Sequence, residues 1–252
     1  MKIVISPAKS LDFESKLPTE SNQDGIFLED AALINTVLKE KSPADLSDLM
    51  SISSKLGDLN WQRNQEWQLP FTSQNARQAV FAFKGDVYVG LDAYSLSEDK
   101  LAVLASKLRI LSGLYGMLRP LDLIQPYRLE MGTKISINTY KNLYQFWGSK
   151  ITDKLNSEMQ EGEFLVNLAS TEYFKVIQPK ALNAPVITPH FKDYKNGKLK
   201  IVSFYAKKAR GMMVRYIVDH NIETIEGLKG FDTGGYVFDQ QLSTETDLVF
   251  TR

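Results

Sequence analysis

The chain has 252 residues, 43% of them apolar, enough to bury a substantial core, and we read residues 1–252 as a single domain. It contains no cysteine, which excludes disulfides, thiolate metal sites, iron–sulfur ligation and cysteine nucleophiles, and fits a reducing compartment. Thirty Lys and Arg balance thirty Asp and Glu, so a polyanion feels no net attraction and any affinity for one depends on where the cations sit.

In chain order, MKIVISPAKS offers three consecutive apolar residues, Ile3 to Ile5, before Ser6-Pro7, too few for a leader or an anchor. No later stretch approaches the roughly 20 apolar residues of a membrane helix, so we expect a cytoplasmic protein without a membrane partner. Residues 2–5 read as a strand that Pro7 ends, and 8–12 as a loop or first helical turn. Ser42-Pro43-Ala44-Asp45 supplies a cap, a proline at the first helical position and an acid at the third, predicting a helix to about Leu56 that Gly57 stops. Residues 80–83 and 87–89 read as two strands of a hairpin turning at Lys84-Gly85-Asp86. Ser97 caps a helix to about Lys107, and residues 108–111 read as a strand leading into the loop 112–116. Then come a helix near 144–159 and a buried strand at 164–168. Asn196-Gly197 turns a hairpin into a strand at 198–205, a helix follows at 206–218, and two short apolar runs near the end read as closing strands. Interleaved strands and helices predict a mixed α/β or α+β fold.

Four groups of residues bear on chemistry. Ser6, Lys9, Ser10 and Asp12 follow the first strand, where α/β sheets place ligand contacts, and Lys84 with Asp86 forms a similar pair. No G-x-S-x-G, Walker or Rossmann signature accompanies them, and no cofactor motif occurs. The loop 112–116 carries Gly113 and Gly116 in G-x-x-G spacing between Arg109 and Arg119. It reads either as amides and guanidiniums gripping a phosphate or as a tight turn between packed elements. Arg119 and Arg128 lie in a proline-fixed segment beside Asp122 and Glu130, which suits anion binding and an arginine–carboxylate brace equally. Residues 194–218 hold no acid and seven cations, among them Lys207, Lys208, Arg210 and Arg215, so a helix there presents a cationic face, with Tyr205 placed to stack on a base. His190 and His220 lack metal-binding spacing, so we expect no metal site.

Taken together, ISPAKSLDF (5–13), FAFKGDVYVGL (81–91), LRILSGLYGMLRPLDLIQPYRLEMG (108–132), LYQFWG (143–148), NLAS (167–170) and VSFYAKKARG (202–211) resemble the YaaA peroxide stress-response family over nearly the whole chain. The resemblance implies a cytoplasmic bacterial protein that limits oxidative damage under hydrogen peroxide and is linked to lowering free iron. It also implies DNA binding through a positive cleft with a helix-hairpin-helix-like element, on a fold peculiar to the family. The basic positions inside matching motifs are Lys9, Lys84, Arg109, Arg119, Arg128, Lys207, Lys208 and Arg210, with Gly113 and Gly116 in the hairpin-like loop. The expected partner is duplex DNA, held with little sequence preference by a monomer that is non-enzymatic or only cryptically enzymatic. The rival expectation is an enzyme acting on a nucleotide or another phosphorylated small molecule through Lys9, Asp12, Lys84 and Asp86. A duplex-wide groove favours the first; a small pocket containing Asp12 or Asp86 favours the second.

Overall fold

A computed structural model describes residues 1–252 as one mixed α/β domain, in which 61 buried apolar residues form a single contiguous core. Its centre is β1 (Lys2–Ile5), flanked in sequence by the two-residue β2 (Ser10–Leu11). Three helices follow: α1 (Leu28–Lys39), α2 (Pro43–Met50) and α3 (Ser54–Glu66). Ser42 and Asp45 form the reciprocal capping box that the sequence predicts at the start of α2. The stop differs: Ser51, in the left-handed region at φ 51°, ends α2, while Gly57 lies inside α3 facing Ser47.

The stretch read as a hairpin at 80–89 is mostly helical. After β3 (Arg77–Gln78) come α4 (Ala79–Ala82), β4 (Phe83–Lys84) and α5 (Asp86–Leu91). Val80, Phe81 and Ala82 are buried within the core, and this packing overrides the strand preference of valine and phenylalanine. The helix α6 (Glu98–Lys107) leads directly into β5 (Leu108–Ser112), which turns antiparallel into β6 (Gly116–Leu118). Beyond β7 (Leu123–Ile124), the helix expected near 144–159 is split into α7 (Leu143–Trp147) and α8 (Lys150–Glu158) at Gly148.

Then come β8 (Leu165–Leu168), α9 (Thr171–Phe174), β9 (Val186–Lys195) and β10 (Lys198–Lys200). The turn between β9 and β10 is Asn196-Gly197, both at positive φ (56° and 72°), as the Asn-Gly signal predicts. The second strand of that hairpin is short, because α10 (Ser203–Asp219) begins three residues earlier than the sequence suggests. The chain ends with α11 (Ile225–Lys229), β11 (Val237–Phe238) and β12 (Asp247–Thr251).

An eight-stranded sheet has the order β11-β12-β9-β8-β1-β5-β6, with β10 on β9. The pairs β1–β5, β1–β8, β8–β9 and β9–β12 are parallel. Every residue of β5 and β8 is buried, as strands covered on both faces require, whereas β9 alternates buried and half-buried positions. The chain leaves β1 toward β5 on one side and returns to β8 on the other. The carboxyl ends of β1 and β8 therefore flank a topological switch point, the place where open α/β sheets bind ligands.

Helix α10 lies against α5 with backbone touching backbone. A Cβ on Gly211 would overlap the Val87 carbonyl oxygen and come within 2.7 Å of the Leu91 nitrogen, and one on Gly90 would overlap the Lys208 carbonyl. Gly211→Ala should therefore force the helices apart. We expect a loss of about 2–3 kcal/mol, as for other overpacked cores, read in thermal unfolding as a Tm lowered by roughly 5–10 °C, with Lys208→Ala, an exposed position on the same helix, as the control. An unchanged Tm for Gly211→Ala would show that this contact does not constrain the fold.

Candidate functional site

A concave cleft of about 430 Å³ opens at the switch point. The end of β1 contributes Ser6 and Lys9, the β4–α5 junction Lys84, Asp86 and Tyr88, and the 126–130 segment Tyr127, Arg128 and Glu130. The end of β8 with the start of α9 adds Ser170, Glu172 and Tyr173, and α10 adds Lys207 and Arg210. Two serines knit the strand ends together. The Ser170 N–H donates to Ser6 Oγ (2.9 Å), Ser6 Oγ–H lies 3.3 Å from Ser170 Oγ, and Ser170 Oγ in turn caps α9. Tyr88 donates from its hydroxyl to the Ser6 carbonyl (3.1 Å), and Tyr127 pairs with Ser112 Oγ at 2.6 Å. Burial raises the pKa of Tyr88, Tyr127 and Tyr173, so all three remain protonated phenols around neutral pH.

Five cations line the cleft against three carboxylates, Asp86, Glu130 and Glu172. Two of these acids are already engaged: Glu130 Oε1 holds Lys9 Nζ at 2.9 Å, and Glu172 Oε1 accepts the Gly132 N–H at 2.8 Å. The arginines are not. Of the eight arginines in the chain, Arg77, Arg109, Arg119, Arg215 and Arg252 each donate a hydrogen bond of 2.8 Å or less. Arg210 makes neither a hydrogen bond nor an ion pair, and burial lowers its pKa. Arg128, its side chain 16% exposed, has only the Glu130 carboxylate at 3.7 Å, and its buried Nε has no partner. Half-buried guanidinium groups with their donors unspent have the chemistry to hold an oxyanion, which would supply the missing hydrogen bonds.

Of the residues singled out from the sequence, Lys9, Lys84, Asp86, Arg128, Lys207 and Arg210 meet in this cleft. Asp12 lies in a neighbouring cavity of about 580 Å³ walled by Phe81, Phe83 and Tyr94. Its carboxylate is taken up by the Ser15 hydroxyl and the Ser15 and Glu14 amides, which lower its pKa to about 2. Lys208 is exposed on α10 outside the cleft. Arg109 is 5% exposed and spent on Glu158 (2.6 Å) and the carbonyls of Ala105 and Leu108. Arg119 braces Asp122 (2.8 Å) and the Asp24 carbonyl (2.7 Å).

The loop 112–116 is buried throughout and joins two antiparallel strands, which replaces the helix-hairpin-helix-like reading with a β-hairpin. A side chain at Gly113 would strike the Leu129 backbone. At Gly116 (φ 66°) it would strike the Trp147 ring, so close packing accounts for both glycines. Tyr205 lies under the Arg252 guanidinium, 4.8 Å from ring centroid to Cζ, which occupies the face read as a base platform. Sequence reasoning missed Tyr88, Tyr173 and Glu172. A signal existed for the last two, because Ser170 in NLAS follows a buried strand just as Ser6 follows β1.

No helix is long and apolar enough to cross a membrane. The family described as peroxide stress protein YaaA matches residues 1–242. A UPF0246 protein of Flavobacterium johnsoniae is 62% identical over 252 residues, covering all of both chains, and one of Flavobacterium psychrophilum is 60% identical with the same coverage. A UPF0246 protein of Saccharophagus degradans is 56% identical over 254 aligned positions, covering all of this chain and 99% of its own. With the family match spanning this length and relatives this similar end to end, the chain belongs to the peroxide stress protein YaaA family.

Proposed function

We propose that this protein acts in the cytoplasm during peroxide stress by binding DNA, with backbone phosphates entering the cleft at the switch point. The observation that carries this reading is the pair Arg128 and Arg210, both half-buried in the cleft and neither making a hydrogen bond, with Arg128 Nε fully buried. Lys84 and Lys207 at the cleft, and Lys208 just outside it, are exposed cations able to take flanking phosphates. Such contacts position a strand without reading its bases, so binding has little sequence preference. Without cysteine the chain cannot reduce peroxide through a thiol, and its part in limiting iron-dependent damage lies with the DNA it covers.

Each phosphate contact releases condensed counterions, so log Kd should rise by roughly 0.9 per log unit of salt for each contact with a duplex. Anisotropy of a labelled duplex across a salt series should give about four contacts, and Lys207→Ala with Arg210→Ala should lower the slope by about two. Affinity that ignores salt, or a double variant that binds like the wild type, would sink this assignment.

One observation favours a second reading. The cleft is concave, of nucleotide size, and holds the carboxylate of Asp86 free of ion pairs among the cations, an arrangement suited to a general base acting on a phosphorylated small molecule. Asp12 falls out of that machinery, which narrows to Lys9, Lys84 and Asp86. A panel of nucleotides and sugar phosphates should then raise the Tm through mass action. Turnover of whichever compound binds should be lost in Asp86→Asn while the Tm shift persists; a panel without any shift would remove the enzyme reading.

A further inference from the structure

Across the β4–α5 junction from the cleft lies the cavity of about 580 Å³ that contains Asp12. The two spaces share Lys84, Gly85 and Tyr88, so they meet at one threshold, where Gly85 has no side chain to stand in the way. Their chemistry differs. The cleft is lined by cations, whereas the cavity is walled by Phe81, Phe83, Tyr88 and Tyr94. The rings are held in pairs, Phe81 with Tyr94 (centroids 5.0 Å apart) and Phe83 with Tyr88 (5.4 Å). Both hydroxyls are tied as well: Tyr94 accepts from Arg77 (2.7 Å) and donates to the Phe81 carbonyl (3.2 Å), and Tyr88 donates to the Ser6 carbonyl. These walls are therefore set before any ligand arrives. Two carboxylates, Asp12 and Asp92, offset the exposed Lys16 and Lys84, so the cavity does not suit a second phosphate. Of the roughly four acceptor positions on a carboxylate, Asp12 spends three on the Ser15 hydroxyl and the amides of Glu14 and Ser15, which leaves one for the N–H of a ligand. A flat, neutral group bearing N–H donors matches an aromatic-walled space of this size.

We propose that this cavity is a nucleobase pocket, taking the base of a nucleotide whose phosphate lies in the cleft. This rests on the phosphate-binding reading of the cleft and adds the other end of the ligand, because the shared threshold lets one nucleotide reach the cations and the rings together. Adenine, cytosine and guanine carry exocyclic amino groups that Asp12 can accept from, and every base has a π-face to lay against an aromatic ring. A free nucleotide brings its base uncovered. Within a duplex each base is covered by its neighbours, so a strand delivers only a base that is unpaired or swung out of the stack.

Calorimetry with two pairs of probes separates the sources: deoxyribose 5-phosphate against deoxyadenosine 5′-monophosphate, and a fully paired duplex against the same duplex with one adenosine left unpaired. In at least one pair the probe with an available base should bind the wild type about tenfold more tightly than its counterpart, the low end of what stacking on an aromatic ring contributes. Two substitutions outside the cleft read the cavity. Val89 lines it and is 61% exposed, so Val89→Trp should fill its mouth, and Tyr94→Ala removes one of its walls. Each should abolish the margin while leaving the affinity for deoxyribose 5-phosphate and for the paired duplex within about twofold, since the phosphate is held elsewhere. Val89→Trp alters a solvent-facing position and should keep the wild-type Tm; were Tyr94→Ala to unfold, it carries the comparison alone. A margin confined to the mononucleotide identifies a free nucleotide as the ligand, and one confined to the unpaired duplex identifies a strand. A margin that survives in every variant that folds overturns the pocket. A wild type that binds all four probes without a margin also overturns it and leaves the cleft reading standing; a wild type that binds none of the four removes both.

Discussion

The contact between α5 and α10 governs the site more than any side-chain interaction does. Glycine at positions 90 and 211 lets the carbonyls of Lys208 and Val87 approach the facing helix where any Cβ would collide. Helix spacing is then set by main-chain atoms, which are stiff, rather than by interdigitated side chains, which can repack. Lys84 and Asp86 sit at the amino end of α5, and Lys207 and Arg210 on the stretch of α10 that crosses it. A receptor built largely from long, flexible cations thereby gains fixed anchor points.

The second determinant is what the fold leaves unfinished. Most of the polar interior is closed on itself: Arg109 with Glu158, Arg252 with Asp193, and Trp67 with Tyr115 all find partners. Four buried polar atoms lack a partner, Asn35 Oδ1, Arg77 Nε, Gln78 Oε1 and Arg128 Nε, each at a cost of about 1–3 kcal/mol, and of these residues only Arg128 lines the cleft. Proteins retain such costs where activity requires them. On the proposed function, an oxyanion in the cleft would offset that cost at Arg128.

How much of this was legible in the sequence depended on range. Strands β1, β5 and β8, the capping box at Ser42 and the Asn196-Gly197 turn follow from local pattern, because each is decided by residues within a few positions of one another. The segment 80–89 differs from the hairpin expectation because its valines and phenylalanines point to strand pairing, whereas the burial of Val80, Phe81, Phe83 and Val87 around α4 and α5 is decided by elements far along the chain. The same holds for the site. Cations inside the matching motifs were visible, but whether a given arginine is free depends on acids elsewhere: Arg109 is silenced by Glu158, 49 residues away, and Arg119 by Asp122 next door.

The order of strands along the sheet also has a bearing on synthesis. The cleft draws on residues from Ser6 to Arg210, so a chain leaving the ribosome presents the carboxyl ends of β1, β5 and β8 well before the helix that completes the receptor has been made. At about 5–20 residues per second, the interval between β1 and α10 is roughly 10–40 s. β1, β5 and β8 are all made once Leu168 is added, and α10 begins at Ser203, so for roughly 2–7 s of that time the nascent protein has its central parallel strands without the helix that completes the cleft. The complete cleft therefore exists only once α10 docks, and on the proposed function incomplete chains would not compete for the ligand of the finished protein.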